Sequence, residues 1–305
     1  MQEVRDNPHM PWYREGLSCN IGIRVDDVHH LQLPNAKRYW NWNMISQHIY
    51  VQEIHKYPHL QWNISNISHN KNITIHDIKT LHMHNASGSW DWNIISRSIN
   101  IQDIRRYTQL YWNREGLSYN IGFSIQDMKL LNATGYWNWY EISRNINIQE
   151  VRDNPHLQWN RLGLSMNTTL TVYDIENLQL PNASNSWDWD RISEYINIQE
   201  VRDNPHMRWN KCALSMNIGI TIQDIDTLIL PHATKRWEWY FISRNINIQE
   251  VRMYPHLPWN KGGLSMNKGI TVRDIEYISI GKHHLLMRDI VPYKIVDRLY
   301  DISIV

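Results

Sequence analysis

The sequence predicts an all-α protein, an α-solenoid of short helical hairpins, and three observations carry that expectation. An aliphatic–serine pair recurs along the chain, a capping residue stands three positions before a recurring acid, and the apolar residues after that acid keep helical spacing. The pairs are Leu17-Ser18, Ile45-Ser46, Ile67-Ser68, Ile95-Ser96, Leu117-Ser118, Ile142-Ser143, Leu164-Ser165, Ile192-Ser193, Leu214-Ser215, Ile242-Ser243 and Leu264-Ser265, each five residues after a tryptophan. Steps between them alternate 28 and 22, with one step of 25 between Leu117 and Ile142. The unit is therefore about 25 residues, and the full period is 50, built of two related halves. One half doubles its tryptophan, as in Trp187-Asp188-Trp189; the other has one, as in Trp209-Asn210. Self-similarity at a fixed period marks an architecture in which each unit buries its apolar face on its neighbours.

The first helix of a unit follows the tryptophan, with Trp189, Ile192 and Ile196 at i, i+3 and i+7. The second begins at the acid column: Asp27, Glu53, Asp77, Asp103, Asp127, Glu150, Asp174, Glu200, Asp224, Glu250 and Asp274, with Glu3 in the same register. Thr, Ser or Asn stands three residues earlier in nine of eleven complete units, as Thr221 before Asp224; Arg24 and Tyr50 depart. That is a capping-box pattern, in which the first side chain accepts from an orphan amide and the carboxylate reaches back. Ile222, Ile225 and Leu228 continue the helical spacing, and Asn-Pro, as at Asn204-Pro205, ends it. Both helices are expected to run two to three turns, too short to persist without stacking. The alternative is a β-solenoid, because Ile218-Gly219-Ile220-Thr221-Ile222 alternates like a strand. The solenoid is expected over residues 1–280. Residues 281–305, which hold no further tryptophan, are expected to form a C-terminal capping segment of the same domain. The chain opens inside a unit, so either a preceding segment is missing or the first unit is a degenerate cap.

Of 305 residues, 42% are hydrophobic and 20% charged, an ordinary globular balance apart from 16 Trp against 2 Phe. A net charge of +1 gives no global attraction to nucleic acid or an anionic membrane. No window approaches the roughly 18 apolar residues of a membrane span. The start, Met1 to Pro8, lacks the apolar core of a signal peptide. The expected location is intracellular, in host cytoplasm or virion, and not secreted. Cys19 and Cys212 occupy unequal repeat positions, so no disulfide is expected. The Asn-x-Ser/Thr triplets at Asn85, Asn132, Asn167 and Asn182 are expected to be turn residues, not glycosylation sites.

The segment Trp237-Glu238-Trp239-Tyr240-Phe241-Ile242-Ser243-Arg244-Asn245-Ile246-Asn247-Ile248 resembles a tandem repeat of giant DNA viruses of the mimivirus kind, and the likeness runs from about residue 3 to 278. That family often has Asn-Pro after the serine, where this chain has Asn-Ile. The resemblance implies a viral repeat protein of unknown biochemical role and supplies no catalytic residue.

Four features could carry chemistry. The tryptophan columns could be a platform for bases or sugars, but an aromatic at a fixed place in every unit reads as core. The histidines His9, His59, His156, His206 and His256, interrupted by Gln109, lie too far apart along a stack to share a metal. Arg5, Arg105, Arg152, Arg202 and Arg252, with His55 in register, could track phosphates. Asp6, Asp153 and Asp203 follow directly, so a solvated, partly ion-paired face is expected. The connectors before the doubled tryptophan vary most: Leu33 to Tyr39, Leu180 to Ser186 and Leu230 to Arg236, with a copy about three residues shorter near Asn132. Their tips, Lys37, Arg38, Ser184, Asn185, Lys235 and Arg236, are the candidate partner contacts. No catalytic residue, cofactor or metal is expected. The function read from this is a non-catalytic scaffold for a protein partner, the alternative being a nucleic-acid-binding repeat.

Overall fold

The structure is a computed structural model that describes residues 1–274, so the expected cap at 281–305 and the last residues of the expected solenoid lie outside it. The chain divides into two compact units, Met1–Asn145 and a second that begins at Ile146. The described residues form 22 complete α-helices, the opening turn of another at 272–274 and no strand, only five isolated parallel bridges. Each unit is an all-α solenoid of repeated helix pairs; the β-solenoid alternative is not supported.

A full 50-residue repeat holds four helices. In the first complete copy these are a doubled-Trp helix Trp42–His48, a first acid helix Val51–Lys56, a single-Trp helix Ile64–Ile67 and a second acid helix Ile75–Thr80. Every helix is four to seven residues long, one to two turns rather than the two to three expected. The reason lies in the residues read as helical heptad positions. Ile196 and Leu228 are C-caps in extended conformation, as are Ile49, Leu81 and Ile246. Leaving the helix turns Ile49 and Ile196 fully inward, and the next residue is free to cap the following helix.

Capping is more pervasive than the sequence pattern suggests. Thr74, Ser124, Thr171 and Thr221 form full capping boxes with Asp77, Asp127, Asp174 and Asp224. Asn100, Asn147, Asn197 and Asn247 instead accept from the amide two residues on. The helices with glutamate in the acid column use that carboxylate differently. Glu53 accepts from the Val25 amide, Glu200 from Val172 and Glu250 from Ile222, each 28 residues back, so the carboxylate ties two repeats. The single-Trp helices are capped by Asn63, Asn113, Asn160, Asn210 and Asn260. At the departing Arg24, only half a box forms: Asp27 accepts from the Arg24 amide at 2.9 Å, while a guanidinium has no lone pair to return.

The recurring serine explains itself in the stack. Ser46 is fully buried; its hydroxyl donates to the Trp42 carbonyl at 2.7 Å and accepts from the Asn63 amide at 3.0 Å. Ser18, Ser118, Ser165, Ser193 and Ser215 repeat that double role toward Asn41, Asn138, Asp188, Asn210 and Glu238. Only a small hydroxyl can give one bond to its own helix and take one from the cap of the next. A buried asparagine completes the joint: Asn70, Asn120, Asn217 and Asn267 donate from Nδ2 to the carbonyls of Ile49, Ile99, Ile196 and Ile246. Between these bonds sits the apolar core, in which the single tryptophans Trp62, Trp112, Trp159 and Trp209 are fully buried. Each indole also donates to the carbonyl five residues earlier, as Trp209 to Asn204 at 2.8 Å, and Trp62, Trp112 and Trp209 meet the second ring of a doubled pair edge-on, as Trp189 with Trp209 at 5.6 Å.

Candidate interaction surface

The connectors before the doubled tryptophans are the exposed, variable segments, and the fold holds them tightly. Leu33, Leu180 and Leu230 are buried anchors. Three residues on, the Ala36, Ala183 and Ala233 amides close a turn onto their carbonyls at 3.1–3.2 Å. The next residue pairs in a parallel bridge with the cap of the single-Trp helix: Tyr13 with Lys37, Asn160 with Ser184, Asn210 with Thr234. An arginine one position into that helix then grips the loop. Arg14 donates to the carbonyls of Leu33, Ala36 and Arg38, and Arg161 to those of Leu180, Ala183 and Asn185. Sequence reasoning missed this second arginine column, although Trp-x-Arg recurs at Trp12, Trp112 and Trp159.

The short third copy shows what deletion does. Leu131 takes the anchor place, Arg114 reaches only the Gly135 carbonyl at 3.3 Å, and its Nε is buried without a hydrogen bond. In other copies the connector asparagine bonds the Pro-His turn: Asn35, Asn85 and Asn182 donate to the carbonyls of His9, His59 and His156 at 2.6–2.7 Å. Gln109 interrupts the histidine column in the short copy. Histidine turn and connector are thus one structural unit. Among the described residues, no group of three His, Cys, Asp or Glu is arranged to hold a metal.

All six candidate contacts are exposed, on three separate loops: Lys37 and Arg38 on one, Ser184 and Asn185 on another, Lys235 and Arg236 on a third. Arg38, Asn185 and Lys235 share one position, with φ of 69°, 63° and 61°, where two other copies have Gly88 and Gly135. Arg236 therefore matches Tyr39, which is 91% exposed, and Lys37 matches Thr234. Two basic residues thus occupy a left-handed backbone position that costs an L-residue about 1–2 kcal/mol. Beside the first loop lies an open hollow of about 370 Å³ lined by Glu15, Arg38, Tyr39, Trp40, Asn41, Trp42 and Asn43. Unlike Trp62, Trp112, Trp159 and Trp209, Trp40 and Trp42 are half-buried.

The arginine column is a partly exposed, ion-paired face, and its partners are not the adjacent aspartates. Arg5, Arg105, Arg152, Arg202 and Arg252 each hold the capping aspartate 22 residues on through Nε and Nη2, as Arg202 does Asp224 at 2.7 and 2.9 Å. His55 takes the same place with Asp77 at 2.7 Å. The aspartate side chains are 1–14% exposed and the arginines 33–38%. Asp6, Asp153 and Asp203 instead accept from Gln2, Gln149 and Gln199, four residues back. Burial alone would raise the Asp127, Asp174 and Asp224 carboxyls. Bonds from the arginine and from the cap hydroxyl and amide outweigh it, leaving all three below the ordinary carboxylate value. At Asp274 the Arg252 bond is the largest influence, and the result is again lowered.

The cysteines are free, Cys19 exposed and Cys212 half-buried. Of the Asn-x-Ser/Thr asparagines, Asn167 is buried and cannot accept a glycan. No helix of the described residues is long and apolar enough to cross a membrane. Compared with family models, curated proteins and solved structures, the chain matches none.

Proposed function

We propose that the protein is a non-catalytic repeat scaffold that binds a protein partner through its connector loops. The observation that carries this reading is how the repeated polar side chains are used. The column arginines, capping aspartates, serines and buried asparagines bond within the stack. The connector tips are exposed, differ from copy to copy and are held on rigid anchors, the combination expected of a recognition surface on a scaffold. The resemblance to giant-virus repeats supports a viral structural or host-interaction role, in host cytoplasm or virion.

The nucleic-acid alternative loses its main support. The basic column it would need is paired with carboxylates, and a phosphate would have to displace a two-point bond. The test is affinity capture from the native cell, with nuclease treatment, comparing wild type with a variant carrying Lys37→Ser, Arg38→Gly, Lys235→Gly and Arg236→Ser. Glycine suits the left-handed positions, so melting should hold or rise by the equivalent of about 1 kcal/mol or less. A protein partner should be lost from the variant and survive nuclease. Full retention by the variant would move the interface elsewhere, and loss on nuclease treatment would favour the alternative.

A further inference from the structure

The acid helices are linked in series, and their last turns form an exposed ridge in each compact unit. In the first, His55 holds Asp77 and Arg105 holds Asp127, joining Val51–Lys56 to Ile75–Thr80 and Ile101–Arg106 to Ile125–Leu130. Lys79 closes the remaining step, its Nζ 4.7 Å from the centre of the Tyr107 ring. In the second, Arg152 to Asp174, Glu200 to the Val172 amide and Arg202 to Asp224 link Ile148–Asp153, Val172–Asn177, Ile198–Asp203 and Ile222–Thr227.

Two positions of this ridge carry opposite charge in the two compact units. Directly after the paired arginine or histidine stand Lys56 and Arg106 in the first, but Asp153 and Asp203 in the second. Two residues after the capping aspartate stand Lys79 and Lys129 in the first, but Glu176 and Asp226 in the second. All eight are exposed, and among the described residues none forms a salt bridge. On the basic side the cations gather on tyrosine: Lys79 and Arg106 share the Tyr107 ring at 4.7 and 5.5 Å, and Lys56 lies 4.9 Å from that of Tyr57. The carboxylates nearby are already engaged, Glu53 by the Val25 amide and Asp26 by the Tyr57 hydroxyl. On the acidic side, Asp153 and Asp203 accept only from the neutral amides of Gln149 and Gln199 and keep their charge. Arg152 and Arg202 beside them are committed to Asp174 and Asp224. The net charge of +1 therefore conceals two opposed local fields. Each of the eight residues has helices before and after it in the repeat array, so its exposure owes nothing to where the chain begins or ends.

We propose that the basic ridge of the first compact unit docks the acidic ridge of the second compact unit of another copy of this chain. Spacing singles out a second copy over a foreign acidic surface. Both ridges step by 23, 27 and 23 residues on the same helical repeat, a series that reads the same from either end. Leu130, 59% exposed beside Lys129, and Ile229, 83% exposed three residues after Asp226, add apolar surface for the contact to bury. Complementary charge of this kind chiefly sets specificity and encounter rate, so the association is reversible and salt-sensitive. It uses none of the connector tips and stands or falls independently of them.

Sedimentation velocity of the full-length chain over a concentration series tests this. Wild type should self-associate at low ionic strength, with a dissociation constant that rises about tenfold or more between roughly 50 and 300 mM salt as screening shortens. One variant reverses the basic ridge, with Lys56→Glu, Lys79→Glu, Arg106→Glu and Lys129→Glu. Another reverses the acidic ridge, with Asp153→Lys, Glu176→Lys, Asp203→Lys and Asp226→Lys. Each alone should be monomeric, and their mixture should associate again, which also shows that both have folded. A third variant, with Lys71→Glu, Arg208→Glu, Arg244→Glu and Lys268→Glu, makes the same change in net charge at exposed residues off the ridge and should associate as wild type does. A monomeric wild type at low salt would overturn the proposal. So would failure of the two ridge variants, each with wild-type circular dichroism, to associate when mixed, or loss of association in the third. A monomeric wild type whose basic ridge binds labelled polyglutamate or a single-stranded oligonucleotide would likewise overturn it and assign the ridge to a foreign polyanion.

Discussion

Ser193→Ala is the substitution that most cleanly probes how the stack is held. The hydroxyl is fully buried, donates to the Trp189 carbonyl at 2.7 Å and accepts from the Asn210 amide at 2.9 Å. Alanine leaves the Trp189 carbonyl with its other helical options, but it strands the Asn210 amide, whose residue is only 5% exposed. An orphaned buried donor costs about 1–3 kcal/mol, and the lost oxygen leaves a void too small for water, so the expected destabilisation is about 1–3 kcal/mol. Ser98→Ala is the matched control. Its hydroxyl also bonds a helix carbonyl, Ile94 at 2.9 Å, but is exposed, so about 0.5 kcal/mol or less is expected. Urea denaturation of both, read by tryptophan fluorescence and circular dichroism, gives the comparison. Equal midpoints for the two variants would refute the reasoning that the serine column locks one unit to the next.

Trp209→Ala should cost about 3–5 kcal/mol, the usual penalty for emptying a fully buried aromatic site, as read from the same denaturation curves; unchanged stability would return the tryptophans to a binding role. Acid should loosen the joints. Because the Asp127, Asp174 and Asp224 carboxyls are lowered in the fold, their contribution is present above the ordinary carboxylate value and is lost as pH falls through the folded one. Arg202→Met removes the strongest lowering influence on Asp224, so its acid loss should begin at higher pH; denaturation midpoints measured across acid pH check this. His55→Arg should stabilise the first unit, because an arginine at this place holds its aspartate through two bonds where the imidazole holds Asp77 through one; an unchanged urea midpoint would show that the second bond adds nothing.

The architecture was legible because its signals are local or periodic. Thr221 and Asp224 lie three apart and form the box that their spacing implies. What escaped sequence reasoning is contact made by stacking. Arg202 was read against Asp203, yet adjacent residues on a helix point in different directions and do not face each other. Its partner, Asp224, lies a whole unit away. Glu250 was read as a box carboxylate like Asp224, but it accepts from the Ile222 amide, 28 residues back. The helix ends were overrun for a related reason: Leu228 keeps apolar spacing in extended conformation because burial, not helicity, sets that position. At the connectors, sequence variation located the loops, but the shared left-handed position of Arg38 and Lys235 is a backbone property that side-chain identity does not announce.

The central claim is that the recurring serine and asparagine columns tie each unit to the next while the connector tips stay outside that framework. Residue-resolved hydrogen exchange of the intact protein tests it directly. The Asn63, Asn113, Asn210 and Asn260 amides, each bonded to a serine hydroxyl of the preceding unit, should exchange slowly together with the helix cores. The amides at Arg38, Asn185 and Lys235 should exchange fast. Fast exchange at the serine-bonded amides, at rates equal to those of the connector tips, would contradict it.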